Sequence, residues 1–312
     1  MNQLHEVTSR TGNGKTVVFI GAAALLTLLL IGHTRIPDIG GLGVAVDTAA
    51  PWLGALVPVL AVLAVLFRCP AGAVAALVPL MAWAYLFGSW WAPGPPSRTV
   101  PASQSVRVVS QNLFAANTSP VATARALAAT NADIIAVQEL GGTNREAVLR
   151  ILDEDYRYHD QLGTVGLWSR YPISDTSAVD VGVDWHRGLR TQIVTPHGEL
   201  VVYVVHLPSI RLGDTATRNN GLSILSRALS KESADRVVVV GDFNTAGTDR
   251  HWSGFAPGYR DNHSGAGFTW PASFPMARLD HIFGRGVTVT DPSVLSVPGP
   301  DHRAVSAVIG LG

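Results

Sequence analysis

Arg236-Val237-Val238-Val239-Val240-Gly241-Asp242-Phe243-Asn244 decides how this chain is read. Four consecutive valines bounded by a glycine are too short for a helix and β-branched throughout, the signature of a strand buried on both faces. An acid and an amide follow at once, where the chain leaves the sheet. The same arrangement recurs outward along the sequence. Asn112 follows Val106–Ser110, Glu139 follows Ile134–Val137, and His206 follows Val201–Val205. Asp280 and His281 sit within a strand near Phe283, and Asp301-His302 precedes Ala304–Val308. Taken singly, an Asp or Asn after a strand is more often a turn or cap than a catalyst. Taken together, polar residues at one edge of a sheet converge and line a single cleft.

The intervening segments complete an α/β pattern. Ser119-Pro120 supplies an N-cap and a first-turn proline for a helix through about Thr130, and further helices are expected at about Arg145–Leu152 and Thr215–Ser230. A strand ends at Gly166–Ser169. Arg190–Thr195 and Leu200–His206, joined by Pro196-His197-Gly198-Glu199, read as an antiparallel hairpin. Strands near Arg278–Phe283, Val287–Val289 and Ala304–Val308 follow, so the sheets are expected to be antiparallel or mixed.

Charge divides the chain in two. Of 23 basic and 23 acidic residues in 312, only five and three fall in residues 1–104. Residues 16–34, 48–67 and 69–97 carry no charge at all. Each run approaches or exceeds the roughly 20 apolar residues that a helix needs to cross a bilayer. Three transmembrane helices are therefore expected, at about 17–32, 52–67 and 71–91, forming an N-terminal anchor over residues 1–91. Trp90 and Trp91 would sit at headgroup level. A cleavable signal peptide is the alternative for the first run, but His33-Thr34-Arg35-Ile36 lacks a small-residue cleavage pattern. Arg10, Lys15 and Arg68 against Arg35 and Arg98 give a positive-inside majority of three to two, placing the N-terminus in the cytoplasm and the C-terminal domain outside. Four prolines make residues 92–104 a stiff linker, and residues 105–312 form the second domain. That domain has a net charge of −2 and no basic run, which argues against a stable nucleic-acid partner. The single cysteine, Cys69, lies in the anchor, excluding a disulfide or thiolate metal site in the domain.

Glu139, Asp242, Asp280 and Asp301 are hard oxygen ligands that suit Mg²⁺ or Mn²⁺. With carboxamides and histidines beside them, they meet the needs of phosphoester hydrolysis. No G-x-S-x-G elbow, P-loop or dinucleotide fingerprint occurs.

Ser110-Gln111-Asn112, Val137-Gln138-Glu139, Trp168–Ile173, Val205-His206-Leu207, Gly241-Asp242-Phe243-Asn244, Arg278–Phe283 and Asp301-His302-Arg303 resemble, in order, the motifs of the endonuclease/exonuclease/phosphatase superfamily. The resemblance implies a four-layer αββα sandwich. It makes Glu139 the principal Mg²⁺ ligand with Asn112 beside it, and Asp301 a further contact to metal that also holds His302. Asp242 would align and deprotonate water, and Asn244 would orient that water or the phosphate. His302 would contact the scissile phosphate, His206 would stabilise the phosphoryl oxygens, and Asp280 would orient a catalytic histidine. Arg278, His281 and Arg303 match common letters of the superfamily and stand as supporting residues; Trp168 and Arg170 stand as fold determinants. Arg187 and Arg190, with His186, form a small basic group able to meet a diphosphate, and with Arg278 and His281 complete the candidate substrate-binding set.

Three spans followed by this domain also resemble actinobacterial membrane proteins of the VanJ type, associated with teicoplanin resistance. That resemblance implies a cell-membrane phosphohydrolase removing the terminal phosphate of undecaprenyl diphosphate at the outer face, with a role in glycopeptide resistance. The alternatives are a sphingomyelinase-like phosphodiesterase, a membrane-tethered nuclease, and an inactive binding or scaffold protein for cell-wall precursors. The partners are then a lipid-phosphate substrate and the bilayer, with oligomeric state left open.

Overall fold

The computed structural model describes residues 2–91, 100–211, 213–263 and 265–312. The chain divides into two compact units, Met1–Pro93 and Gly94–Gly312. Residues 92–99 of the expected linker lie outside the described residues.

In the first unit α1 (Asn2–Gly32), α2 (Leu42–Ala49), α3 (Leu56–Leu66), α4 (Pro70–Ala75) and α5 (Leu77–Phe87) follow one another. With their connecting turns they make three stretches long and apolar enough to cross a membrane: Asn13–Arg35, Leu42–Leu66 and Pro70–Trp90. The second starts at Leu42 rather than at Trp52, because Asp47 does not end it. Its carboxylate is fully buried and meets His33 Nδ1 at 2.9 Å, and an ionisable group among apolar helices needs such a partner. Leu25, Leu28, Val62, Leu66 and Met81 face outward. Helices apolar all round in this way suit a lipid environment.

The second unit contains two six-stranded sheets. The first comprises β1 (Ser105–Asn112), β2 (Ile134–Gln138), β3 (Tyr158–Leu162) and β4 (Val165–Ser169), with β11 (Thr288–Leu295) and β12 (Ala304–Gly310) from the end of the chain. The second comprises β5 (Ile173–Ala178), β6 (Gly188–Thr195), β7 (Gly198–His206), β8 (Val237–Asp242), β9 (Arg260–Asp261) and β10 (Asp280–Arg285). Their orders are β11-β12-β1-β2-β4-β3 and β5-β6-β7-β8-β10-β9. Each sheet holds one parallel pair, β1·β2 or β7·β8, and every other pairing is antiparallel. The parallel pairs are bridged by helical crossovers, α6 (Pro120–Ala128) and α8 (Ala216–Lys231), while α7 (Gly142–Asp155) connects β2 to β3.

Strand periodicity of two explains why the apolar runs are continuous rather than alternating. Val202, Val204, Val238 and Val240 point inward and pack with Val106, Val108, Ile134 and Ala136 of the facing sheet. Their neighbours Val201, Tyr203, Val205, Val237 and Val239 point outward beneath Leu222, Leu225 and Leu229 of α8. On the other side Val109, Ile135, Val137 and Trp168 pack under α6 and α7 through Leu127, Val148 and Leu152. The result is the expected four-layer αββα sandwich. The hairpin turn is tighter than expected: β6 and β7 pair as far as Thr195↔Gly198, leaving only Pro196-His197 between them.

Gly241 is where β8 comes closest to its neighbour. Its φ is +139°, and a Cβ there would lie 1.9 Å from the Val205 carbonyl oxygen. Gly241→Ala should therefore cost about 2–3 kcal/mol, since the obstruction is backbone. The urea midpoint of the detergent-solubilised chain measures it.

Candidate active site

Strand register gathers the polar residues at one edge. His206 is level with Asp242 across the parallel β7·β8 pair, and Asp280 is level with Asp242 across the antiparallel β10·β8 pair. In the other sheet Asn112 is level with Gln138, one residue before Glu139. Ser110 is level with Val305, so the segment entering β12 lies beside the end of β1. Gln111 Nε2 donates to the His302 carbonyl at 3.1 Å and ties these two together.

Asn112 joins the sheets. Its buried Nδ2 donates to Glu139 Oε1 at 3.1 Å and to Asp242 Oδ2 at 2.9 Å, while its Oδ1 accepts from the Phe114 amide at 2.9 Å. Glu139 Oε2 accepts from the Ala115 amide at 2.5 Å. Glu139 and Asn244 hold positive φ values of 56° and 46°, a left-handed conformation that Asn tolerates and that the surrounding bonds maintain at Glu139. The Asn244 amide donates to Asp242 Oδ1 at 2.8 Å and its Nδ2 donates to the Leu207 carbonyl at 2.9 Å. Asn244 Nδ2 also lies 3.3 Å from Asp242 Oδ2, so Asp242 is buried among three donors from two residues.

Asp280 Oδ2 accepts from His302 Nδ1 at 2.9 Å, and both are buried. The Thr269 hydroxyl accepts the Leu279 and Asp280 amides at 3.2 and 3.4 Å, steadying the start of β10. His302 Nε2 lies 3.9 Å from Asp242 Oδ2. Burial alone would lower the His302 pKa, but the Asp280 and Asp242 carboxylates prevail and lift it to about 10. Asp242 is itself pushed upward by burial, against the pull of His302 and with the Asp280 charge adding to the rise. Asp301 is raised by burial, with Glu139 contributing, while the Trp270 side chain hydrogen-bonds it.

His206 behaves differently. Its Nε2 is 3.6 Å from Asp242 Oδ2 and 3.8 Å from Glu139 Oε1, but Arg187 Nη2 meets the same nitrogen at 2.5 Å. Burial, followed by repulsion from Arg187 and His302, holds the His206 pKa well below its ordinary value. The imidazole is therefore neutral and accepts from Arg187, so the positive charge at this corner is the guanidinium's.

The other candidates are placed elsewhere. Arg190 binds Glu232 at 2.6 Å and Asp175 at 3.4 Å. Arg278 is committed to Asp261, whose carboxyl burial raises but Arg278 and His281 hold well below the usual range. His281 points away from Asp280, its neighbour on β10, and stacks on Trp252 with centroids 4.0 Å apart while its Nε2 donates to the Thr245 carbonyl at 2.9 Å. Thr269 and Trp270 complete the site without any sequence signal, because they sit in a loop whose pairing is purely tertiary.

A divalent cation fits this donor set. Ligand atoms of Asp242, Asp280 and His302 lie within 4.8 Å of one another, a different trio from Glu139, Asn112 and Asp301. Asp280 Oδ1 is buried without a hydrogen-bond partner among the described residues. Among the described residues Glu139, Asp242, Asp280 and Asp301 gather beside His302 and Arg187, a concentration of negative charge that a hard metal ion would relieve.

A model of the Endonuclease/Exonuclease/phosphatase family matches residues 109–306. YbhP of Escherichia coli K12, itself uncharacterized, is 25% identical over 221 residues, spanning 60% of this chain and 86% of that protein. D. rerio TDP2, solved with a single-strand DNA product, superposes with a TM-score of 0.57 at 16% identity, covering 66% of this chain and 99% of TDP2. A Staphylococcus aureus beta toxin mutant solved with bound magnesium ions gives 0.52 at 16% identity, covering 65% and 99%. At these identities the solved structures speak for the fold.

Proposed function

The chain belongs to the endonuclease/exonuclease/phosphatase family, and from that premise we propose that it is a membrane-anchored, Mg²⁺-dependent phosphohydrolase that removes the terminal phosphate of a polyprenyl diphosphate such as undecaprenyl diphosphate. Its class, a metal-dependent hydrolase of phosphoric esters or anhydrides, comes with the family. The observation that carries the substrate is the presence of three candidate membrane spans in the same chain as the phosphoesterase centre. The sequence resemblance to VanJ-type proteins supports a role in carrier recycling under glycopeptide stress. The positive-inside majority of three to two supports an orientation with the catalytic unit outside the cell membrane.

In this reading Glu139, Asn112 and Asp301 would hold the metal with help from Asp242. A bound Mg²⁺ would supply charge to neutralise phosphoryl oxygens and favour attack by water. Asp242, aligned by Asn112 and Asn244, accepts the proton of that water. His302 is cationic at neutral pH because Asp280 holds its Nδ1–H, and it donates from Nε2 to the phosphoryl group. Arg187 supplies the second positive charge, with His206 fixing its guanidinium. Fixed charges of this kind stabilise the in-line transition state without a covalent intermediate.

The test is phosphate release by full-length protein from polyprenyl diphosphate, with sphingomyelin and single-strand DNA in parallel, in Mg²⁺ or EDTA. Mg²⁺-dependent release from the diphosphate alone supports the reading, with EDTA lowering the rate at least about a hundredfold. Cleavage of either parallel substrate instead overturns the substrate. Silence on all three favours a binding role.

Folding raises the His302 pKa above its unfolded value, so the stabilisation it contributes is complete below about 6.5 and is lost as pH rises through about 10. The melting temperature of metal-free protein should accordingly fall between about pH 6.5 and 10. In His302→Gln that part of the fall should vanish, and an unchanged profile would refute the assignment.

A further inference from the structure

Exposed large hydrophobic side chains are few in the catalytic unit, and they are not scattered. Among the described residues they are Trp185, Val194, Ile210, Trp270, Phe274 and Met276. All but Val194 lie on three loops that leave the sheet edge bearing the site. Trp185 stands beside Arg187, 5.8 Å from its guanidinium, and Arg187 meets His206. Ile210 is four residues beyond His206. Trp270, Phe274 and Met276 belong to Phe268–Ala277, a loop segment without a charged residue.

That last loop is a small rigid platform. Trp270 and Ala277 exchange backbone hydrogen bonds at 3.0 and 2.9 Å, and the Phe274 amide donates to the Pro271 carbonyl at 3.1 Å. It is also fastened to the catalytic segment. The Ala272 amide donates to the Asp301 carbonyl at 2.7 Å, Arg303 Nε donates to the Ala272 carbonyl at 2.9 Å, and the Trp270 side chain reaches the Asp301 carboxylate. Phe274, at its tip, is 66% exposed. Most of the loop's backbone amides are already paired, and such pairing with a tip of Trp, Phe, Met and Pro suits a segment entering the interfacial layer of a bilayer.

We infer that these three loops form a rim that docks on the lipid surface, with the 268–277 loop inserted at headgroup depth, so that a lipid phosphate enters the site without leaving the membrane. The inference rests on the lipid-phosphate reading above. Its occupant follows from the chain itself. Fourteen residues separate Trp90, the end of the last candidate span, from β1 at Ser105. A chain of that length reaches at most about 50 Å, so a bilayer is always within range at high effective concentration.

The test uses full-length protein, Cys69→Ala, carrying a single environment-sensitive fluorophore at Phe274→Cys or, as control, at Ser230→Cys near the far end of α8. In proteoliposomes, headgroup-depth spin-labelled lipids should quench the label at 274 at least about threefold more than at 230. Equal quenching at the two positions, or an equally aqueous emission, overturns the inference. Shielding from a water-soluble quencher without lipid quenching also overturns it and points to a second copy on the rim. Separately, Ile210→Ser/Phe274→Ser should slow hydrolysis of vesicle-embedded polyprenyl diphosphate by about tenfold. The same variant should leave hydrolysis of a soluble short-chain prenyl diphosphate, presented without vesicles, within twofold. Lipid quenching at 274 in a protein that hydrolyses no lipid phosphate would sink the proposed substrate and leave the docking rim standing.

Discussion

Asp242→Asn should lower kcat/KM for phosphoester hydrolysis by about a thousandfold or more while the chain stays folded. The substitution keeps the shape of the side chain and changes only what it can accept. Asp242 receives the Asn244 amide on Oδ1, and on Oδ2 the Asn112 side chain at 2.9 Å and the Asn244 side chain at 3.3 Å. An amide in that position presents N–H groups to at least one of these donors. It also loses the proton acceptor, weakens the set of charges facing a metal, and removes one of the two carboxylates that hold His302 in its cationic form. Four losses fall on one atom-for-atom change, so the effect should exceed that of any other single substitution in the site. Phosphate release under saturating Mg²⁺, with circular dichroism to establish folding, measures it. A variant retaining more than a tenth of the parent activity would remove Asp242 from the role of proton acceptor.

Arg218→Met should be the most damaging substitution for stability among those proposed here, at about 3–5 kcal/mol. Arg218 and Asp249 are both fully buried, with Nη1 and Oδ2 2.7 Å apart. Arg218 Nη1 also donates to the Thr245 hydroxyl at 2.8 Å, and that hydroxyl donates to the Phe243 carbonyl at 2.7 Å. The pair therefore braces α8 against the loop that follows Asp242 and carries Asn244. Removing the cation leaves Asp249 as a buried charge whose remaining contacts are the amide of His251 at 2.8 Å and its Nδ1 at 3.1 Å. Most of the loss is thus the isolation of the partner rather than the worth of the pair. Arg218→Met/Asp249→Leu should recover at least about half of it. Denaturant unfolding of the single and double variants checks both statements, and a single-variant loss under about 1 kcal/mol would contradict them.

Much of the fold is legible in residue order because the strands at the centre of each sheet are buried on both faces and write themselves as unbroken apolar runs, Val237–Val240 and Val201–Val205 being the clearest. The strands that escaped notice, β3, β5 and β9, are edge strands. β5 reads Ile-Ser-Asp-Thr-Ser-Ala and is largely exposed, so nothing in its composition separates it from a loop. β9 is two exposed residues held only by β10.

The site divides along the same line. Asn112, Glu139, His206 and Asp242 were visible because each follows the end of a buried strand. Asp280 and His302 stand at strand beginnings, and they reach the same edge because β10 and β12 run antiparallel to β8 and β1. The sequence by itself determined that a front long and apolar enough to span a membrane and an α/β phosphoesterase domain share one chain, since hydropathy, charge and strand periodicity are local properties. Only the tertiary structure decided which motif residues face the cleft. Adjacent side chains on a strand point to opposite faces, so Asp280 turns inward to His302 while His281 turns outward to Trp252. Likewise Arg187 meets His206 while Arg190 is captured by Glu232, a partner 42 residues away. Such long-range pairings are set by the register and stacking of the sheets, to which no local pattern of residues gives access.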